Sequence, residues 1–239
     1  MRRVALVTGA SRGLGAALAR FLGRLDYDLV LTARGAEKLA SVAESIREIG
    51  VSVHALAGDV VDAAHRARLV EAAWSLGRLN LLINNASALG PSPMPSLAEY
   101  SLADFEAVLR TNVVAPLALA QVCLPLLSGT QGLIVNLSSD AAIGGYPGWG
   151  GYGASKAALD LVSVTLAKEL AEAKVAVVSV DPGDMRTAMH QAAFPGQDIS
   201  DRPPPEATLP FWAWLLGQPH EGINGRRFRA QGEIWEAAA

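Results

Sequence analysis

The chain has 239 residues, of which 51% are hydrophobic and 18% charged; 20 basic against 23 acidic side chains leave a net charge of −3. This composition excludes a disordered polymer, and it gives no strong electrostatic pull toward nucleic acid or anionic lipid. The single cysteine, Cys123, excludes an internal disulfide framework and any multi-cysteine zinc site.

In chain order, short β-rich runs alternate with longer helical ones. Strands are expected at 3–8, 28–33, 51–57, 79–84, 133–138 and 174–180, with a weaker seventh at 226–230. Helices are expected at 14–25, 37–49, 62–76, 102–126 and 153–172. Runs such as LNLLIN, GLIVNLS and VAVVSV are apolar almost throughout, the pattern of a parallel strand buried on both faces. Repeated β-α units predict a doubly wound α/β fold, Rossmann-type, with a parallel sheet of about seven strands and helices on both faces. No composition shift or repeat marks a boundary, so 1–239 reads as one domain. The Pro/Gly-rich stretches 90–95 and 194–205 follow strands and read as binding loops, with a substrate loop around 186–209. Arg2 and Arg3 precede an apolar run of only Val4 to Val7, too short for a signal peptide. No apolar run reaches the roughly 18 residues expected of a membrane helix. The expectation is a protein of the cytoplasm with no membrane or nucleic-acid partner.

The first strand runs into Gly9-Ala10-Ser11-Arg12-Gly13-Leu14-Gly15 and then a helix. Glycines here let the chain reverse and leave no side chain between a helix N-terminus and an anionic ligand, so the turn predicts a bound nucleotide phosphate. Three residues separate the first two glycines, unlike the common G-x-G-x-x-G spacing. The second strand ends Thr32-Ala33-Arg34 without an acid to bind a ribose 2′-hydroxyl. Arg12 and Arg34 are cations suited to a 2′-phosphate, which favours NADP(H) over NAD(H); the plainer reading makes both ordinary surface arginines.

Tyr152 and Lys156 lie four apart on an expected helix and so share a face, and Ser139 ends a neighbouring strand. An adjacent ammonium is expected to draw a phenol, ordinarily near pKa ~10, toward neutrality. Such a phenol exchanges a proton with a carbonyl or alcohol oxygen, and Ser139 can hydrogen-bond the same oxygen. Four tyrosines and four lysines in the whole chain make a chance pair at this spacing rare.

Taken together, these motifs resemble the short-chain dehydrogenase/reductase family along essentially the whole chain. The turn matches through Thr8, Gly9, Gly13 and Gly15, with Ser11 and Leu14 inside it. Asp59-Val60 matches the acid that contacts the adenine ring, and Asn84-Asn85-Ala86 the motif shaping the cofactor cleft. Ser87 stands where the family usually has glycine, and the tail GRRFRAQGE lacks the paired glycines often seen there. The resemblance implies a catalytic set of Asn112, Ser139, Tyr152 and Lys156, with Asn112 holding a water that links the lysine to solvent. It implies further that Lys156 holds the cofactor ribose and that Pro182, Gly183 and Thr187 grip the nicotinamide amide and phosphates. The implied activity is NADP(H)-dependent carbonyl–alcohol interconversion on a small molecule by a homodimer or homotetramer. Leu89, Met94, Met189 and Phe194 suggest a partly apolar substrate.

Two other readings keep the fold: a redox sensor that binds NAD(P) without turnover, and a different reaction such as epimerisation. The four histidines show no metal-ligand spacing, so no metal is expected. His190 lies near the substrate loop. Trp212 and Trp214 read as core or interface, and Arg226, Arg227 and Arg229 as charges on a strand edge.

Overall fold

A computed structural model describes residues 1–231. Seven parallel strands form one sheet in the order β3-β2-β1-β4-β5-β6-β7. They are β1 (Arg3–Thr8), β2 (Tyr27–Ala33), β3 (Val53–Ala57), β4 (Leu81–Asn84), β5 (Leu133–Leu137), β6 (Ala176–Asp181) and β7 (Arg227–Arg229). The order reverses between β1 and β4, which opens a crevice beyond the carboxyl ends of those strands.

Alternation along β1 divides the core. Ala5 and Val7 face one side, where Leu18 and Leu22 of α1 (Gly13–Arg24), Leu39 and Ile46 of α2 (Ala36–Arg47), and Phe211 and Trp212 pack on them. Val4 and Leu6 face the other, against Leu69 of α3 (Ala63–Ser75) and Leu119 and Cys123 of α5 (Ala115–Thr130). Burial on both sides is why these strands read as unbroken apolar runs. Trp212 thus belongs to the core, and the Cys123 thiol, pushed up to about 12 by burial, is inert at neutral pH.

Differences from the sequence reading lie mostly at element ends. The helix expected at 102–126 is α4 (Leu102–Leu109), a π-helical turn (Arg110–Val114) and α5, continuous to Thr130. This stretch is long and apolar enough to cross a membrane, contrary to the sequence expectation. In the fold it is a core helix that lays Ala115, Leu119, Cys123 and Leu127 against the sheet. After α6 (Ala141–Gly144), the helix expected at 153–172 is α7 (Gly150–Glu169), which begins a turn earlier. Among the described residues three further short α-helices follow: α8 (Ala188–Ala193), α9 (Leu209–Leu216) and α10 (His220–Ile223).

One buried polar pair ties α3 to β2. His65 has no solvent exposure; its Nε2 lies 2.7 Å from Thr32 Oγ1 and its Nδ1 3.1 Å from Arg68 Nη2. Arginine only donates, so Nδ1 accepts, and the ring is the neutral tautomer with its proton on Nε2. Burial, then the Arg68 charge, hold His65 below its ordinary pKa. The unfolded chain, with His near ~6.5, binds the proton first. His65 therefore makes stability fall as pH drops below about 6.5, the unfolded value. Thermal unfolding at pH 7.5 and 5.0 will show a drop in midpoint that shrinks in His65→Gln.

Candidate active site

The turn after β1 is closed by hydrogen bonds to the end of β4. Thr8 Oγ1 accepts from the backbone N–H of Asn85 and of Ala86, each at 2.9 Å. The Asn85 amide donates back to the Thr8 carbonyl at 2.8 Å and the Gly9 carbonyl at 3.3 Å. Gly9 has φ +67°, and a Cβ there would lie 2.7 Å from Asn85 Nδ2. At Gly15 a Cβ would lie 2.3 Å from the Gly9 carbonyl oxygen, so only glycine lets α1 start against its own turn.

From this turn a cleft of about 1230 Å³ runs along the strand ends. It is lined by Gly9, Ser11, Arg12, Gly13 and Leu14 of the turn, by Arg34 after β2, and by Asp59 and Val60 after β3. Asn85 and Ala86 after β4, Tyr152 and Lys156 of α7, and Pro182 and Thr187 after β6 complete the expected residues on its wall. Gly15 lies beneath the wall, and Gly183 packs toward Gln231 instead. Arg12 and Arg34 are exposed at one end of the cleft. Lys38 of α2 joins them on the wall, a third cation that sequence reading missed because it lies beyond the strand end. The glycine-lined turn, the helix N-terminus and these cations fit the phosphates of a dinucleotide.

At the other end, Lys156 is buried, and its Nζ donates to the Leu137 carbonyl at 2.7 Å while lying 5.4 Å from the Tyr152 ring centre. Burial pushes the ammonium down to about 8, with Asp160 opposing. Lys156 is expected from sequence to draw the Tyr152 phenol toward neutrality; the structure shows the reverse. Burial holds the phenol above its ordinary value, and the carboxylates of Asp181 and Asp140 add to the rise. The neighbouring Ser87 and Ser139 hydroxyls oppose it. Desolvation is the largest cause because the whole phenol sits in low dielectric, and Lys156 is not among the groups that move it.

Ser139 stands in the loop after β5, its hydroxyl donating to Asp140 Oδ1 at 3.0 Å and accepting from the Ala141 N–H at 3.2 Å. Asn112 sits behind the cleft in the π-helical turn and is fully buried. Its amide donates to the Ala88 carbonyl at 2.8 Å and to Ser155 Oγ at 2.9 Å. Its Oδ1 accepts from the Ala88 N–H at 2.8 Å and from Ser87 Oγ at 3.2 Å. The Asn112 side chain therefore pins the 87–88 loop to α7, one residue before Lys156. The π turn lets a side chain in mid-helix face this loop.

Sequence reading missed Trp149, whose ring meets the Tyr152 ring edge-on at 5.9 Å and Phe194 at 5.9 Å. His190 lies 4.9 Å from Phe194, so α8 brings its aromatic end toward the phenol. Only tertiary packing brings Trp149 and Phe194 together, since 45 residues separate them in sequence. A second correction concerns Arg227. It is not a simple edge charge: its guanidinium turns inward onto Asp160, Asp181 and the Ser139 carbonyl. Among the described residues no group of three or more His, Cys, Asp or Glu side chains is placed to hold a metal ion.

Comparisons with known proteins place the chain in a family. Residues 3–198 match the family model described as short chain dehydrogenase. YciK of Escherichia coli K12, named an uncharacterized oxidoreductase, is 32% identical over 234 residues, covering 96% of this chain and 92% of that protein. Serine 3-dehydrogenase of Agrobacterium fabrum is 35% identical over 199 residues, covering 82% and 78% respectively. A short chain dehydrogenase from Shigella flexneri, solved in complex with NADP, superposes with a TM-score of 0.89 at 32% identity, covering 96% of this chain and 97% of that one.

The close approach at Gly15 is open to direct test. Gly15→Ala will cost about 1–3 kcal/mol in urea unfolding, because backbone must move. Gly129→Ala, in α5 with nothing within 4 Å of the new methyl, will stabilise by about 0.4–1 kcal/mol.

Proposed function

This chain belongs to the short-chain dehydrogenase family, an oxidoreductase fold for CH–OH and C=O groups, and from that premise we propose that it is an NADP(H)-dependent carbonyl reductase/alcohol dehydrogenase with Tyr152 as its acid/base. The single observation that carries this reading is the burial of Tyr152 and Lys156 together at the end of the cleft that begins at the glycine turn. The nicotinamide cofactor, when bound, supplies or accepts the hydride. The protein's own residues do the rest. Gly9, Ser11, Gly13 and Leu14 present backbone to the phosphates over Gly15, and Asp59 and Val60 flank the adenine. Asn85 and Ala86 form the cleft floor, and Pro182 and Thr187 form the nicotinamide end, with Gly183 turning the chain behind it.

Tyr152 gives a proton to the substrate oxygen in reduction and takes it in oxidation, while Ser139 orients that oxygen. Lys156 holds the ribose, and Asn112, its side chain fully hydrogen-bonded, keeps the 87–88 loop against α7 rather than holding a relay water by its amide. A phenol held above its ordinary pKa stays protonated at neutral pH and is the acid that reduction needs. The phenol itself therefore supports reduction through neutral pH, and its deprotonation at higher pH favours oxidation.

The NADP(H) preference is supported by Arg12 and Arg34 at the cleft end, by an arginine rather than an acid at the first position after β2, and by the NADP held by the Shigella relative. Leu89, Met94, Met189, Trp149 and Phe194 support a small, partly apolar carbonyl or alcohol as substrate, bounded by the loop around 186–209. A homodimer or homotetramer is supported by exposed Val114 and Val122 near one helix face and Leu161 and Val164 on another. A single domain over 1–239, acting in the cytoplasm, completes the proposal.

Tyr152→Phe will reduce turnover of an NADPH-dependent probe such as 4-nitrobenzaldehyde by at least about 10²-fold, in line with loss of general acid catalysis. NADPH binding, followed by energy transfer from tryptophan, will stay within twofold; substantial residual turnover overturns the role of Tyr152. Separately, Arg34→Asp will weaken NADPH about tenfold or more and NADH little, since one charge-assisted pair to the 2′-phosphate is worth about 1.5–3 kcal/mol. Equal weakening of both would remove the basis for the NADP(H) preference.

A further inference from the structure

Arg227 lies outside the Ser139–Tyr152–Lys156 set and off the cleft wall, yet it holds three pieces of the site together. Its Nη2 donates to the Ser139 carbonyl at 2.8 Å and to Asp181 Oδ2 at 3.3 Å, and its Nε donates to Asp160 Oδ2 at 3.1 Å. Each acceptor belongs to a different element. Ser139 follows β5, and its hydroxyl faces the phenol. Asp181 ends β6, and its other oxygen accepts the Gly183 N–H at 3.0 Å, setting the start of the 182–187 loop. Asp160 is one turn beyond Lys156 on α7, on the same helix face, and also accepts from Ser138 Oγ at 2.8 Å. The side chains are three-quarters or more buried, at 25% exposure for Arg227, 17% for Asp160 and 5% for Asp181.

Charges therefore alternate through the back of the site: Lys156 positive, Asp160 negative, Arg227 positive, Asp181 negative. A largely buried chain of this kind is sensitive to loss of any member, because the partner left behind keeps its desolvation cost without its attraction. We infer that Arg227 is a positioning residue for the reaction: it shares Asp160 with Lys156 and holds the Ser139 backbone, so it sets both the charge state of Lys156 and the place of the Ser139 hydroxyl. The positioning role rests on the oxidoreductase reading; the electrostatic coupling to Lys156 does not.

The groups that bear on this coupling come from every neighbouring element. Lys156 meets the Asp160 charge on its own helix, the Leu137 carbonyl at the end of β5 and the Tyr152 ring. Asp181 meets Arg227 and Arg229 of β7 and Asp140 after β5. Asp160 pulls Lys156 upward against burial. With Arg227 present that carboxylate is partly neutralised; without Arg227 its full charge acts on the ammonium.

The test reads Lys156 directly. The chain has four lysines, so carbon-13 labelling at lysine Cε gives four resonances, and Lys156→Arg identifies the one that matters. In Arg227→Met the Lys156 midpoint will rise by about half a pH unit or more, and in Asp160→Asn it will fall by a similar amount. A mere packing defect moves both variants the same way or neither, and that result overturns the proposal. Arg227→Lys keeps the charge and loses the fork, which covers the case in which Arg227→Met does not fold. Its Lys156 midpoint will stay near wild type, while kcat on 4-nitrobenzaldehyde with NADPH falls about tenfold and KM for NADPH changes less than twofold. An unchanged kcat in Arg227→Lys likewise overturns the positioning role. Opposed midpoint displacements with no turnover by the wild-type protein count against the oxidoreductase reading, whereas parallel displacements with normal turnover count against Arg227.

Discussion

The site depends on the close contact between the turn after β1 and the end of β4. Neighbouring parallel strands lie a fixed distance apart, and at the switch point their connections leave in opposite directions. The chain must bridge that divergence without burying unpaired backbone groups. Thr8 and Asn85 do this with five hydrogen bonds, counting the one from Thr8 to the Ile83 carbonyl. With the turn held there, α1 begins against it and Gly15 must lack a side chain. The open N-terminus of α1 then faces the cleft.

Polar side chains buried elsewhere repeat the device. Asn84 donates to Asn136 across β4 and β5, and Asn136 donates to Ser163 on α7, so sheet and helix keep one register. Asn112, from the π turn, fastens the 87–88 loop to Ser155. Each of these amides is satisfied on both its donor and acceptor sides only if several elements sit correctly, with the buried Asn84 Oδ1 as an exception. Such groups specify arrangement more than they add stability, since an exchanged hydrogen bond contributes only about 1 kcal/mol net. Their value is that Tyr152 and Lys156 project from a helix whose position along the sheet is determined.

Burial then sets the chemistry. Both Tyr152 and Lys156 are pushed toward their neutral forms, the phenol upward and the ammonium downward to about 8. Low dielectric penalises either charge, and the surrounding hydroxyls and carboxylates adjust the balance. Asp160 supports the ammonium, Asp181 and Asp140 oppose a tyrosinate, and Ser87 and Ser139 favour one. The ends of β5, β6 and β7 thus act on the reactive groups through charge as well as shape.

Much of this was legible in the chain alone. Apolar runs of parallel-strand length alternate with helical periods, so seven strands and a doubly wound sheet follow from local pattern. The glycine turn and the Tyr152–Lys156 pair are visible because their chemistry is set by spacing of a few residues, within one turn or one helix face. Element ends were less legible: α7 starts at Gly150, where packing rather than helix propensity holds the glycines in a helix. What only the tertiary structure decided involves residues far apart in sequence. Trp149 meets Phe194, Ser87 meets Asn112 and Tyr152, and Arg227 turns from an apparent edge charge into the partner of Asp160 and Asp181. The direction in which Tyr152 is displaced was also beyond sequence. Adjacency of a lysine can be read from spacing, but the desolvation that raises the phenol exists only once every element has closed around it.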